Sequence, residues 1–274
     1  MAGSIRGGRE ACQPMVRIAV DIIGRLVGAA ASCLWPPRCA LCGQSGLLRD
    51  SLGRVPRGTQ PSGQENLDLC AGCVGDLPLN DTACEHCAEP LPPGHSGLAL
   101  CGRCLQRPPA FDACFAPFRY AFPVDRMIQG LKYRRELVYG RVLGQLLAGH
   151  LARRETRPEL VIPVPLGLAR YRERGFNQAR ELSLPVCKSL GLTLNSQLVA
   201  RHRETQEQAS LDRNERLKNT QHAFALTAPL TARHVAIVDD VVTTGSTANE
   251  ISKVLRAAGV EWIEVWAVAR AERR

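Results

Sequence analysis

HVAIVDDVVTTGST, at His234–Thr247, is the stretch of this 274-residue sequence that decides the fold. Its apolar run Val235–Val238 is short and rich in β-branched residues, which is typical of a buried parallel strand. The segment from about Ser246 to Ala258 carries apolar residues three and four positions apart and predicts a helix. Acidic and hydroxyl side chains therefore lie between a strand end and a helix start, where open α/β sheets bind ligands.

The residues between that strand and helix suit a phosphorylated sugar. Asp239 and Asp240 can accept hydrogen bonds from the 2- and 3-hydroxyls of a ribose. The helix N-terminus offers unpaired N–H groups to a 5-phosphate, and Gly245 lets the backbone approach it closely. A plain strand, turn and helix cap would use one hydroxyl, whereas the segment offers four: Thr243, Thr244, Ser246 and Thr247. We therefore expect a ribose 5-phosphate site.

VAIVDDVVTTGST resembles the motif with which type I phosphoribosyltransferases bind 5-phosphoribosyl 1-pyrophosphate (PRPP). The match extends over about thirteen residues and implies an α/β fold, a type I phosphoribosyltransferase-like parallel sheet flanked by helices. It implies less about catalysis, because proteins with this fold can bind PRPP only as a regulatory ligand.

Length and charge limit the class of protein. The 274 residues suffice for one α/β domain and a smaller module. The formal net charge is +9, and it falls to about +5 if eight cysteine thiolates bind two Zn²⁺ ions. The surplus suits an anionic partner such as PRPP, pyrophosphate or nucleic acid.

The most apolar part of the N-terminal region is Met15–Trp35. Arg17, Asp21 and Arg25 interrupt it, well short of the ~20 apolar residues that span a bilayer. We expect an N-terminal helical segment over residues 1–33 that packs on the body of the protein, and no integral membrane segment. The expected location is the cytoplasm, with a peripheral contact to the inner membrane as the alternative.

Eight of the twelve cysteines form four CxxC pairs: Cys39/Cys42, Cys70/Cys73, Cys84/Cys87 and Cys101/Cys104. Two CxxC turns together supply the four thiolates of a tetrahedral zinc site. A redox motif would need only one pair, and disulfides would need an oxidising compartment. We therefore expect a double zinc ribbon over residues 34–106 with two Zn²⁺ ions. All-cysteine ligation leaves no open position, so both sites should be structural.

The pairing of the CxxC turns has two alternatives. A sequential arrangement joins the first pair to the second and the third to the fourth, whereas a cross-braced arrangement joins the first to the third. We favour the sequential arrangement, because each ribbon is then a local hairpin. Gly43 and Gly102 fit tight turns next to the cysteines, and residues 43–69 read as an inserted loop. The other cysteines are expected to be packing residues: Cys12, Cys33, Cys114 and Cys187.

The remaining residues, 107–274, should form the phosphoribosyltransferase-like domain. We expect a linker with a strand-like piece over 107–123, two helices over 124–153, and buried strands at Leu160–Pro165 and Trp262–Ala269. The basic cluster Lys132–Arg135 lies where the two helices meet and is either a solvated face or part of a ligand site. Residues 201–224 are polar and should wrap around the sheet.

Residues 168–178, LARYRERGFNQ, carry arginines at alternate positions: Arg170, Arg172 and Arg174. A mobile arginine-rich loop could grip pyrophosphate oxygens and exclude water when it closes. A basic surface turn is the alternative.

The order of these features resembles the ComF/GntX family from about Leu34 to Arg270. CxxC pairs are followed by LKY, IPVP, RERGFNQA and the acidic motif. The resemblance implies catalytic carboxylates at Asp239 and Asp240, and a pyrophosphate region near Arg170, Arg174, Asn177 and Gln178. The PRPP-binding set it implies also includes Asp239, Asp240, Val241, Thr243, Thr244, Gly245, Ser246 and Thr247.

Three functions remain open. The family is implicated in natural transformation, so the resemblance implies handling of incoming single-stranded DNA. The chain could be a phosphoribosyltransferase, a glycosyltransferase that uses PRPP with Mg²⁺ and an unidentified acceptor. Alternatively, it could be a non-catalytic module that senses PRPP or binds DNA or proteins of the uptake machinery. The sequence shows no aromatic stacking platform, since its 5% aromatic residues include several expected in the core: Trp35, Phe111, Phe115 and Phe118.

Overall fold

The structure is a computed structural model that describes residues 38–45, 67–92, 100–202 and 223–272. The predicted N-terminal helical segment, most of the predicted inserted loop and most of residues 201–224 lie outside these ranges. No helix within them is long and apolar enough to cross a membrane.

The described helices and strands alternate in the way that the sequence predicts for an α/β protein. The helices are α1 (Ala71–Gly75), α2 (Gly102–Gln106), α3 (Val124–Arg134), α4 (Leu137–Leu151), α5 (Leu168–Arg174), α6 (Gln178–Leu190) and α7 (Ser246–Ala257). The strands are β1 (Ala113–Phe115), β2 (Phe118–Arg119), β3 (Leu160–Pro163), β4 (Val199–Arg201), β5 (Phe224–Leu226), β6 (His234–Val242) and β7 (Trp262–Arg270).

The central sheet is parallel throughout. Strand β6 lies between β3 and β7, and β1 and β2 both pair with the far edge of β7. Strands β4 and β5 form a separate antiparallel pair. A parallel sheet needs helices on both faces, because each crossover connection covers one of them.

Two apolar layers cover the sheet. On one face Ala236 and Val238 of β6 pack with helices α3, α4 and α6. On the other face Val235 and Ile237 pack with helix α7 and the β4–β5 pair. This alternation along β6 follows from the two-residue period of a strand. The predicted parallel sheet with flanking helices is therefore confirmed.

Several elements differ from the expectations. Strand β6 continues through the acidic pair to Val242, because it stays in register with β7 as far as Arg270. The strand-like piece predicted within residues 107–123 is confirmed, but it is two strands, β1 and β2, that form one edge of the sheet and not part of a linker. The predicted mobile loop at 168–178 is wrong: residues Leu168–Arg174 are a helix that Gly175 ends in a left-handed conformation. The predicted pair of helices over 124–153 is confirmed, with the break at Arg135.

The N-terminal module contacts the domain at two places. Its first half contacts helix α4, where the Tyr139 hydroxyl donates to Ala40 O at 3.1 Å. Its second half contacts the β1–β2 edge, where the Asn80 amide donates to Ala116 O at 3.1 Å and also, within the module, to Ala88 O at 3.0 Å. The module is thus fixed to the sheet by backbone acceptors as well as by apolar packing.

Gly144 allows helices α4 and α6 to approach closely. A Cβ atom there would clash with the Pro185 ring and lie 2.6 Å from Leu182 O. We expect Gly144→Ala to lower the free energy of unfolding by about 1–3 kcal/mol, the usual cost of overpacking, in urea denaturation. Gly75→Ala is the matched control, because its Cβ would meet nothing within 4 Å. Equal stability of the two variants would contradict this account of the contact.

Candidate functional site

The eight CxxC cysteines form two clusters in the sequential pairing, which confirms that expectation against the cross-braced one. The first contains Cys39, Cys42, Cys70 and Cys73, and the second contains Cys84, Cys87, Cys101 and Cys104. Within each cluster the sulfur atoms all lie within 4.8 Å of one another.

Both clusters have the same construction. The first CxxC pair of each lies in a tight turn, closed by a backbone bond to Cys39 O from Gly43 N (2.9 Å) or to Cys84 O from Ala88 N (2.7 Å). Gly43 and Ala88 follow these pairs with positive φ angles of 74° and 55°. The second pair begins at the residue that precedes a short helix, Cys70 before α1 and Cys101 before α2. The turn role expected for Gly102 is therefore wrong, because this residue opens helix α2.

The geometry of the clusters fits zinc. Tetrahedral Zn²⁺ with sulfur bonds of ~2.3 Å separates its ligands by about 3.8 Å. The Cys42 and Cys70 sulfurs are 3.7 Å apart, and the Cys87 and Cys101 sulfurs are 3.6 Å apart.

The surroundings of one cysteine in each cluster also favour the thiolate form that a metal requires. The Cys87 thiol and nearby backbone N–H groups lower the pKa of Cys84 to about 4. Although burial opposes it, the backbone around Cys42 and Cys70 lowers the pKa of Cys39 to about 6. Of the cysteines expected to be packing residues, Cys114 and Cys187 are buried among apolar side chains, and Cys12 and Cys33 lie outside the described residues.

The acidic pair lies near the C-terminal end of strand β6, at the carboxyl edge of the sheet. Asp240 is buried and forms an ion pair with Lys132, which comes from helix α3. Burial disfavours the Lys132 charge, but the adjacent Asp240 carboxylate outweighs it and raises the pKa of Lys132. The predicted basic cluster thus divides: Lys132 enters the acidic site, while its neighbours Tyr133 and Arg134 are exposed.

Asp239 has a different environment from Asp240. Its Oδ1 atom accepts a hydrogen bond from the Asp240 N–H at 2.9 Å. Burial, followed by the negative charge of Asp240, raises the pKa of Asp239 well above the ordinary carboxyl value. Two adjacent carboxylates with one lysine leave a net negative charge, so a hydroxyl donor or a cation would relieve the repulsion.

The turn after β6 has the form expected of an anion-binding loop. Gly245 has a φ of 77° and directly precedes helix α7. The hydroxyls of Thr244 and Ser246 are 2.7 Å apart, and the Ser246 N–H lies 3.3 Å from Thr244 Oγ1. Thr243 is exposed, and Thr247 lies in the first turn of the helix. Backbone N–H groups and several hydroxyls therefore converge at one helix N-terminus.

Arg270 joins this turn to the second cysteine cluster and was not identified from the sequence. It is fully buried at the end of β7 and forms an ion pair with Glu89. Its guanidinium donates to the backbone oxygens of Cys87 (2.9 Å), Val242 (2.8 Å), Ala271 (2.8 Å) and Thr243. A charged residue at the end of a strand that is apolar apart from Glu264 was the signal that could have revealed it.

The residues expected near pyrophosphate form two groups. Arg174 is buried, donates to Gln178 Oε1 at 3.0 Å, and stacks 5.5 Å from the Tyr133 ring centre. It lies close enough to oppose the charge of Lys132. Asn177 caps helix α6 by accepting from Ala179 N at 2.9 Å, and its amide donates to Val164 O at 3.0 Å. Arg174 thus reaches the Lys132–Asp240 region, whereas Asn177 is occupied in shaping the backbone; Arg170 is half-buried on α5.

Comparison with known proteins identifies the N-terminal module and the family of the chain. The model of the double zinc ribbon domain matches residues 30–105. Competence protein F of Haemophilus influenzae is 38% identical over 213 residues, covering 74% of this chain and 90% of the relative. DNA utilization protein YhgH of Escherichia coli K12 is 38% identical over 207 residues with the same coverage. This chain belongs to the ComF family.

More distant similarities are weaker. Competence protein ComFC of Streptococcus pneumoniae is 26% identical to this ComF-family chain over 155 residues, covering 57% of the chain and 67% of the relative. A solved glutamine PRPP amidotransferase from Bacillus subtilis superposes with a TM-score of 0.33 at 17% identity. It covers 47% of this chain and 26% of that structure.

The two cysteine clusters of this ComF-family chain can be tested separately. We expect the wild type to carry two zinc ions per chain in native mass spectrometry. The double variant Cys84→Ser, Cys87→Ser should carry one, since its first cluster is intact. Cys187→Ala, a buried cysteine outside both clusters, is the control and should keep two. Two ions in the double variant would rule out the second cluster as a zinc site.

The environment of Asp239 predicts a cost in stability. A carboxyl whose pKa is raised on folding destabilises the native state above its unfolded pKa, because ionisation is harder in the native protein. We expect Asp239→Asn, which can still accept from Asp240 N–H, to raise the free energy of unfolding at pH 7 by about 1 kcal/mol. The gain should disappear as the pH falls through the ordinary carboxyl range, where Asp239 is protonated in both states.

Urea denaturation across pH measures this difference. Asp76→Asn removes an exposed carboxylate of the N-terminal module and should show no comparable gain. A destabilised Asp239→Asn at neutral pH would contradict the assignment.

Proposed function

We propose that this chain binds PRPP with Mg²⁺ at the carboxyl end of β6 and acts in natural transformation, in the handling of incoming single-stranded DNA. The observation that carries the proposal is the succession of Asp239 and Asp240, the left-handed turn at Gly245 and the helix N-terminus of α7. The names of the relatives, competence protein F and DNA utilization protein, support the cellular part.

Each part of the site has a role in this proposal. Asp239 and Asp240 accept hydrogen bonds from the ribose 2- and 3-hydroxyls, which removes part of their mutual repulsion. The backbone and hydroxyls of residues 243–247 hold the 5-phosphate at the positive end of helix α7. Val241 contributes backbone at the same edge of the sheet.

The pyrophosphate end of PRPP should face the cations beside Asp240. Lys132 forms an ion pair with Asp240. Arg174 lies near Lys132 and donates a hydrogen bond to Gln178 Oε1. A guanidinium and an ammonium together offer several donors to phosphate oxygens. When bound with PRPP, Mg²⁺ would supply further neutralisation of the pyrophosphate charge.

A phosphoribosyltransferase reaction fits this arrangement. Departure of pyrophosphate leaves positive charge at C1 of the ribose, which the fixed carboxylates of Asp239 and Asp240 would stabilise electrostatically. A nucleobase or amine acceptor would then attack C1. Release of pyrophosphate in the presence of a suitable acceptor is the measurement that identifies this activity.

Arg270 favours a second candidate, in which PRPP is sensed rather than consumed. Its hydrogen bonds connect the oxygens of Val242 and Thr243, next to the phosphate turn, to Cys87 O in the second cluster. A change in the turn on PRPP binding would therefore shift Arg270 and with it the zinc ribbon. In this candidate the ribbon contacts single-stranded DNA or proteins of the uptake machinery. PRPP binding without pyrophosphate release across a broad acceptor panel would favour this candidate.

Calorimetric titration of PRPP and Mg²⁺ into the zinc-loaded protein tests the binding site. We expect one PRPP per chain for the wild type. The double variant Asp239→Asn, Asp240→Asn should bind at least about 100-fold more weakly, because it loses charged acceptors of two hydrogen bonds.

The matched control is Asp76→Asn, Asp81→Asn, which removes the same charge from exposed positions in the N-terminal module. It should bind PRPP like the wild type. Absence of binding to the wild-type protein would overturn the proposal, and equal loss in both double variants would show that net charge alone is responsible.

A further inference from the structure

Two exposed tyrosines from distant parts of the sequence lie on helices that contact each other beside the acidic site. Tyr133, at the end of helix α3, is 69% exposed, and Tyr171, on helix α5, is 51% exposed. The two helices are joined where Arg135 Nη2 donates to Glu173 O at 2.7 Å and where Arg174 stacks on Tyr133. No aromatic platform is evident from the sequence, because the two helices that carry these tyrosines come into contact only in the folded protein.

Arginines surround these rings. Together the exposed residues form what we call the aromatic–arginine surface: Tyr133, Arg134, Arg135, Tyr171 and Arg172. The charged residues of the two helix ends and their immediate continuation are Arg134, Arg135, Arg170, Arg172 and Arg174, against Glu136 and Glu173. The local charge is therefore positive even after both carboxylates are counted.

The Tyr133 ring is held in place without being covered. Arg174 lies 5.5 Å from its centre, and this guanidinium is itself buried and bound to Gln178 Oε1. One side of the ring therefore rests on a fixed cation, while most of the side chain is exposed. An aromatic ring that is fixed beforehand loses little conformational entropy when a flat partner stacks on it.

We propose that the aromatic–arginine surface binds single-stranded nucleic acid. Bases stack on the rings of Tyr133 and Tyr171, and the arginines pair with the phosphates. Proteins that hold single strands without sequence preference combine these two features, since every base has a face to stack and every nucleotide carries a negative charge. A duplex cannot use the surface in this way, because its bases are already stacked on one another.

The position of the surface connects it to the proposed PRPP site. Lys132, the neighbour of Tyr133, forms the ion pair with Asp240. A bound strand would lie at the entrance to the carboxyl edge of β6. The biological meaning of this surface rests on the proposed role in DNA handling, whereas strand binding itself does not require PRPP.

Fluorescence anisotropy with a labelled oligodeoxythymidine tests the inference on the full-length, zinc-loaded protein. Tyr133→Ala, Tyr171→Ala should bind at least about tenfold more weakly, because stacking contributes substantially for each base. Tyr133→Phe, Tyr171→Phe should retain wild-type affinity, since stacking uses the ring and not the hydroxyl. Phe122→Ala removes an exposed aromatic residue at the other end of helix α3 and should also leave the affinity unchanged.

Salt dependence tests the arginines separately. Arg134→Ala, Arg172→Ala should reduce the slope of log K against log salt by about 1.4, as expected when two phosphate contacts are lost from a single strand. Unchanged zinc content and urea midpoint would show that each variant is folded.

Several results would overturn the inference. Equal affinity of the alanine double variant and the wild type is one. Loss of transformation with unchanged strand binding is another, and it would assign the surface to a protein partner. PRPP binding by a protein that binds no strand would remove this inference and leave the PRPP proposal intact, whereas strand binding without PRPP binding would do the reverse.

Discussion

The buried guanidinium of Arg270 is the interaction on which the architecture of the site depends. It lies at the end of β7 and binds the end of β6, the first residue of the turn before helix α7 and the backbone of the second cysteine cluster. Glu89 balances its charge. Removing one partner of such a pair leaves an uncompensated buried charge, which is strongly destabilising. The turn and the zinc ribbon therefore form one structural unit, although they belong to opposite ends of the chain.

Local patterns explain why much of the molecule was predictable. The strand, turn and helix of residues 234–257 are contiguous, so their periodicity and their glycine suffice to predict them. The cysteine clusters follow from CxxC spacing, and the sequential pairing follows from short hairpins. Helix α5 was also predictable from local signals, since Gly175 and Asn177 are a helix end and a helix cap. The alternating arginines of the same segment indicated a loop instead, although they are equally compatible with a helix.

Long-range contacts explain what was missed. Lys132 reaches Asp240 only because helix α3 packs over the carboxyl edge of the sheet. The strand-like piece predicted within residues 107–123 pairs with β7, and strands of two or three residues carry too little periodicity to reveal that partner. The helices that carry Tyr133 and Tyr171 meet only through the long-range contact between α3 and α5. Each of these features depends on tertiary packing, about which neighbouring residues in the sequence contain no information.

The pairing of β1 with β7 has a consequence for synthesis of the chain on the ribosome. Ala113 pairs with Glu264, a partner that is made roughly 150 residues later. The cysteines of each cluster come from one short stretch of sequence, Cys39–Cys73 or Cys84–Cys104, and can bind metal as soon as that stretch emerges. The edge to which the second ribbon attaches is completed only when β7 and Arg270 have been added. Until then the ribbons are connected to a domain whose sheet is incomplete. Addition of strand β7 is therefore the step that joins the early-folding module to the late-folding domain.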